Sequence, residues 1–485
     1  MGVLDNLNPQ RVFYYFEEIT KIPHGSGNVE HISNYLVDFA KKHKLFYLQD
    51  ALKNVIIIKE AFAGYEKEQP VILQGHMDMV AVKKPDCPID MLTEGLKVCV
   101  CEDKIYAEGT SLGGDDGIAV AYALALLESD TIKHPRLEVV ITVDEEVGMD
   151  GARGIDLSML TGKRMLNLDS EDEGIFLVSC AGGLRQRCSL TLACEERTGT
   201  AFELEIGGLL GGHSGEEIHK GRGNAVSLLA RVLWSLTEKL SIGLFAAQGG
   251  VADNAIPRNS RAVVVIDEKD KEAFVRLVKG EETQIASELG RKEPAFYLQI
   301  KEIGEGTYLC AGDSDTKRAA GFLRALPNGV QKMSEDMEGL VETSLNLGIL
   351  QYEDKKLSVD ISLRSSVESE KYALSERIAA ITMLAGGIYV ISGDYPGWKY
   401  RIHSPLREKM SAIYEKMYGS KPKIEAIHAG LECGILADKI PDLDCVSIGP
   451  QMSGIHTTEE VLSISSTARV WEFLLKVLET KDIEV

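Results

Sequence analysis

The apolar run VILQG ends in His76-Met-Asp78, which places an imidazole and a carboxylate two residues apart at the end of a candidate strand. A glycine-rich turn, Gly109-Thr-Ser-Leu-Gly-Gly-Asp115-Asp116-Gly117, presents adjacent carboxylates just before a helix. A phosphate is a poor ligand for it, because the Walker lysine is missing and paired carboxylates repel an anion; a cation suits it. Asp144-Glu145-Glu146 follows the run LEVVITV, where three consecutive carboxylates repel one another unless one is protonated or a metal holds them. Asp169 closes the run MLNL, and His456 lies in a glycine-bearing loop after CVSIG. Singly these stretches read as a surface H-x-D, an acidic helix cap or a loop histidine. Jointly, at the ends of neighbouring strands, they point to two divalent metals sharing carboxylate and imidazole ligands, with zinc the best match and cobalt or manganese as substitutes. H-E-x-x-H does not occur, which excludes a zincin helix, and Ser111, although it lies in Gly109-Thr-Ser-Leu-Gly113, is not read as a nucleophile elbow, because that turn presents paired carboxylates ahead of a helix.

The elements that must position these residues are legible as patterns. Ile32, Tyr35, Leu36 and Phe39 fall on one helical face after Ser26. VIIIK at 55–59, VILQG at 71–75, LEVVITV at 137–143, MLNL at 165–168 and CVSIG at 445–449 are short apolar runs suited to buried strands. Helices fit 117–127, 404–418 and 466–480. These alternate as one open, mostly parallel sheet covered by helices. Between about 184 and 398 strand follows strand, as in RQRCSLTLAC and TAFELEIGG, around a helix with Leu228, Leu229, Val232, Leu233 and Leu236 on one face. The reading is an α/β catalytic domain over 1–183 and 399–485, interrupted by an α+β insertion over 184–398.

The chain has 485 residues, enough for two or three domains, with a net charge of −21 that disfavours nucleic acid or an anionic membrane surface as partner. No basic region followed by an apolar stretch opens it, and the run 118–127 is about half of what spans a bilayer, so a cytoplasmic protein is expected. Nine scattered cysteines are expected to be buried thiols in a reducing compartment.

The ordered set HMD, GGDDG, DEEVGMDGA, LD, GGHSG, NAIPR, HAGLECG and GIH resembles the di-zinc aminoacylase/carboxypeptidase-type metallopeptidases, and within them the aminoacyl-histidine (Xaa-His) dipeptidases. GGHSGEEIHKGRGNA, HAGLECGIL and GDYPGW extend the likeness over nearly the whole chain. The resemblance implies that His76, Asp115 and Asp169 hold one zinc and Asp115, Glu146 and His456 the other, with Asp115 as bridge. Asp78 would then orient His76, and Glu145 would be the general base. The insertion would be a lid, in which His213 steadies the oxyanion and Asn254 and Arg364 grip the substrate's C-terminal side, with Gly430 and Glu432 at that same end. A cis peptide is implied at Asp115-Asp116. His219, His403 and His428 are expected to be structural or rim histidines. The implied activity is hydrolysis of small unblocked dipeptides, Xaa-His among them; an N-acyl-amino-acid deacylase would share every ligand, and a non-catalytic binder would share the fold. A homodimer is compatible with the resemblance, as is a monomer whose long lid imitates a partner.

Overall fold

The computed structural model describes residues 2–482 and divides into two compact units, Met1–Ser179 with Tyr400–Ala426 and Leu431–Val485, and Cys180–Lys399 with Ile427–Gly430. The first unit carries the central sheet. Strands Val71–His76 and Leu137–Thr142 are buried at every position, as expected where helices cover both faces of a parallel sheet. Parallel pairing links Leu137–Thr142, Val71–His76, Arg164–Asn167 and Asp444–Ser447. Val55–Lys59 and Phe46–Gln49 on one side and Ile175–Cys180 on the other pair antiparallel, and Lys423–Ile427 forms the far edge. Because His76 is level with Thr142 and Gln74 with Asn167, the carboxyl ends of these strands lie side by side, where an open α/β sheet collects ligands.

The helix Gly114–Glu128 is buried from Gly114 to Leu127, so its interior needs no polar face. Its first turn is not helical: Asp115 and Asp116 have ψ of 107° and 31° across a cis peptide, and regular helix begins at Gly117.

The second unit is built on an antiparallel sheet ordered, from one edge, Ser260–Ile266, Cys194–Gly207, Tyr297–Ala311, Ile242–Gly249, Val341–Glu353, Lys356–Ser365, Gly182–Thr191 and Ile388–Tyr395. Ser260–Ile266 also pairs with Ile242–Gly249, curling that end of the sheet back on itself. Helices including Ala225–Thr237 and Asp313–Ala325 pack on it, with Leu229, Val232, Leu233 and Phe322 in a shared core. The chain enters and leaves the unit as a pair, Cys180 and Trp398 exchanging backbone hydrogen bonds of 3.0 Å.

The expectation of nine buried thiols fails for four of them. Cys101 is exposed and Cys87, Cys99 and Cys194 are half-buried: Cys99 and Cys101 sit on a short strand open to solvent, Cys87 lies in a loop, and Cys194 begins a long strand at its solvated end. All nine are free. Among the described residues, no helix is long and apolar enough to cross a membrane.

Candidate metal centre

His76 ends its strand with the imidazole buried. Its Nδ1 lies 2.9 Å from the carbonyl oxygen of Asp78, which can only accept, so Nδ1 carries the proton and Nε2 the lone pair. Nε2 faces Asp115 Oδ1 at 3.1 Å and Asp169 Oδ1 at 3.6 Å. On the other side of Asp115, His456 Nε2 lies 3.1 Å from Oδ2 and 3.0 Å from Glu146 Oε1. A lone pair turned on carboxylate oxygens is favourable only with a proton or a metal cation between them. The donor set therefore fits cations on each side of Asp115.

The charges make the same point. Burial works against a charged His76, but Asp169, Asp115 and Asp78 outweigh it and raise its pKa well above the ordinary value. Hydrogen bonds to Asp115 and Glu146 raise His456 to about 10. Burial is the leading effect on Asp169, pushed up to about 6, and on Glu145, pushed well above the usual carboxylate range with Asp169, Glu432 and Glu146 adding repulsion. Protons would hold this cluster together if no cation did.

Asp78, fully buried, ties the centre to the next turn. Its carboxylate accepts from Ser26 Oγ at 2.8 Å and from the backbone N–H of Glu145 at 3.1 Å, with Oδ1 3.5 Å from His76 Nδ1. Asp144 in the left-handed region, φ 55°, turns the chain sharply from strand into the short helix Glu145–Gly148. That turn brings donor atoms of Glu145 and Glu146 within 4.8 Å of one another and of His76. Asp116 also stands near His76 and Asp169. Its Oδ2 is committed to the His76 backbone N–H at 3.1 Å, whereas its buried Oδ1 has no hydrogen-bond partner, and burial raises its pKa well above the ordinary range.

A family profile described as Peptidase family M20/M25/M40 matches residues 72–480. The chain belongs to this peptidase family. It is 36% identical over 482 residues, 99% of each chain, to the cytosol non-specific dipeptidase of Escherichia coli (strain K12). The crystal structure of aminoacylhistidine dipeptidase from Vibrio alginolyticus superposes with a TM-score of 0.94 at 35% identity, covering 99% of this chain and 98% of that one. The aminopeptidase PepT structure from Bacillus cereus ATCC 10987, at 15% identity, TM-score 0.56 and 98% coverage of both chains, shares the fold.

Two supports of this M20 centre are not read as such from the sequence patterns, Glu432 being named there only for the substrate's C-terminal end. Glu460, buried, accepts from the backbone N–H groups of Leu112, Gly113 and Gly114 at 2.7, 3.1 and 2.8 Å, with that of Asp115 at 3.4 Å, and so shapes the glycine turn. Only its place in GIHTTEE hints at this, and nothing distinguishes it there from Glu459, which pairs with Lys84 at 2.7 Å on the surface. Beneath the strand ends, Glu432 Oε2 accepts from Gln74 Nε2 and Thr142 Oγ1, both at 2.6 Å, and Asn167 Nδ2 donates to Gln74 Oε1 at 2.6 Å. Glu432 is wholly buried with Oε1 unpartnered, and burial, reinforced by Asp169 and Asp78, pushes it up to about 8. Its contacts in the structure are to strand residues.

The second unit of the M20 chain gathers His213, Arg364 and Tyr395 with Gly430, while Asn254 lies exposed on the loop before Ala255–Ile256. His213 is in a two-residue ladder with Ala255. Its Nδ1 accepts from the Glu216 N–H at 3.2 Å, which leaves Nε2 as the protonated nitrogen, and burial and Arg364 lower its pKa, so the ring is a neutral donor. Asn346 Nδ2 holds the carbonyls of Asp253 and Ala255 at 2.9 and 2.8 Å, on either side of Asn254. His428 is buried with Nε2 2.7 Å from Ser344 Oγ and is pushed down to about 3 by burial and Arg364; His219 and His403 are exposed.

Proposed function

We propose that this M20 peptidase is a cytoplasmic di-zinc dipeptidase acting on small unblocked dipeptides, including Xaa-His. The observation that carries the reading is Asp115 set between two imidazoles at 3.1 Å each, with Glu146 and Asp169 completing the sides and Glu145 next to them. His76, Asp115 and Asp169 would hold one cation and Asp115, Glu146 and His456 the other, with cobalt or manganese as substitutes for zinc. Cations in such a set acidify water and polarise a carbonyl. Glu145 takes the proton from the attacking water and returns it to the leaving amine, a task for which its raised proton affinity suits it. Asp78 keeps His76 in the tautomer that presents Nε2. His213, neutral with its proton on Nε2, donates to the carbonyl oxygen as negative charge develops there. Arg364 and Asn254, with Gly430, take the C-terminal side, the guanidinium fork matching a free carboxylate. Glu432 braces the strand ends of the first unit through Gln74 and Thr142. The full-length likeness to two proteins named as dipeptidases supports this choice over a deacylase.

The test is amine release from Gly-His, β-Ala-His, Ala-Ala, a tripeptide and N-acetyl amino acids by zinc-loaded and chelated protein. Zinc-dependent cleavage confined to free dipeptides is expected. Cleavage of the N-acetyl compounds alone would move the function to deacylation, and no cleavage with two zinc ions bound would make the protein a binder.

A further inference from the structure

The strand Ile388–Tyr395 carries into the GDYPGW stretch, whose tyrosine the mechanism above leaves without a task. Strands Lys356–Ser365, Gly182–Thr191 and Ile388–Tyr395 are successive neighbours, and across them Arg364 is level with Gly183, which is level with Tyr395. Side chains level with one another on adjacent strands share a face, so any ordinary residue at 183 would stand between the other two. Gly183 leaves that place open and the phenol lies over it: a Cβ there would be 2.6 Å from the Tyr395 hydroxyl. The hydroxyl reaches Arg364 Nη1 at 3.3 Å.

The tyrosine is itself held. Lys371, wholly buried, donates to the Tyr395 carbonyl at 2.8 Å and to Asp394 Oδ1 at 2.6 Å. On the ring's other side, a Cβ at Gly430 would lie 2.9 Å from Tyr395 Cε2, so nothing larger than glycine fits there without moving the ring. With Nη1 engaged, the guanidinium keeps its other edge for a ligand, and Arg364 Nε on that edge is buried with no partner. That edge is one of the two that can grip a carboxylate through parallel N–H bonds.

We propose that Tyr395, reaching across Gly183, is a positioning residue that turns the Nε edge of Arg364 toward the substrate's C-terminal carboxylate and so selects peptides with a free C-terminus. This rests on the assignment of Arg364 to that carboxylate. The experiment compares wild type, Tyr395→Phe and Arg364→Met, all zinc-loaded, on Gly-His and on Gly-His amide, the amide as substrate or as competitive inhibitor. Tyr395→Phe should raise KM for Gly-His about tenfold, the size expected for loss of one hydrogen bond to a charged group, with kcat within about twofold and no change toward the amide. Arg364→Met should raise KM for Gly-His further and leave the amide unaffected. Gly183→Ala, which displaces the ring, should reproduce the Tyr395→Phe shift if thermal denaturation shows it folded. If Arg364→Met does not separate acid from amide, the carboxylate assignment falls and the proposal with it. If Arg364→Met separates them and Tyr395→Phe does not, or if Tyr395→Phe weakens both ligands equally, the proposal alone is overturned.

Discussion

Glu145 and Glu432 are both carboxyl groups held above their ordinary pKa by burial, yet their surroundings give them different work. Glu145 is half-buried on a turn beside the metal-ligand cluster, where a proton can be exchanged with water. Glu145→Ala should lower kcat by roughly 10²–10⁴-fold, the range for loss of a general acid-base, because the ligand atoms are untouched. Elemental analysis should find the metal content of the wild type; unchanged turnover would remove Glu145 from the mechanism. Glu432 is sealed beneath the strands with one oxygen unpartnered. Its folded pKa, about 8, lies above that of an unfolded glutamate, so its contribution is complete below about pH 4.5 and is lost as pH rises through about 8. Metal-free protein should therefore lose several kcal/mol of stability between about pH 5 and 9 from this group, and Glu432→Gln, which stays neutral, should remove that share of the slope. Urea titrations at four pH values would decide it; parallel slopes for the two proteins would show that Glu432 is ionised when folded.

The elements of the first unit do one thing together: they bring four strand ends level and then turn sharply. The turn before the buried helix is the least ordinary of them, with its cis peptide and non-helical Asp115 and Asp116, and it is held from outside by Glu460. Glu460→Gln replaces a carboxylate gripping backbone donors with an amide that must turn an N–H₂ toward some of them. A loss of about 3 kcal/mol in stability is expected, in line with leaving buried donors unmet. Zinc affinity should fall about 10–100-fold, because Asp115 loses its support. Competition with a chromogenic chelator measures the second, and unchanged affinity would show that Asp115 keeps its place without Glu460. The strands were readable in the sequence because both their faces are buried, which makes 71–76 and 137–142 predominantly apolar, with ligands at or just beyond their ends. The bracing of those ends was not readable, although the resemblance named Glu432 for another role. Glu460 acts on residues some 345 positions away, and Glu432 reaches Gln74 over 358 positions, so no local period or spacing records either contact. The cysteines misled for a related reason: residue type does not reveal that 99 and 101 lie on a strand open to solvent.

At the scale of the whole molecule, the second unit is an insertion whose ends are pinned together at Cys180 and Trp398 and whose own core holds it as one body. Within it, His213 and Arg364 converge on the same small space: a Cβ at Gly215 would stand 3.1 Å from His213 Cε1 and 3.2 Å from Arg364 Nε. A single lid therefore presents both the donor proposed for the carbonyl oxygen and the fork proposed for the carboxylate. One dipeptide spans the distance between those two groups, so both must come from one copy of the chain, whatever the oligomeric state. The consequence can be measured by complementation. Assayed at Gly-His well below the raised KM of the Arg364→Met protein, where it and the His213→Ala protein are each nearly inactive, the two should stay so when mixed, unfolded together and refolded, because every lid in the mixture lacks one of the two groups. Recovery toward a quarter or more of wild-type activity would mean that the two groups reach one substrate from different chains, and that their closeness around Gly215 serves only the packing of the lid.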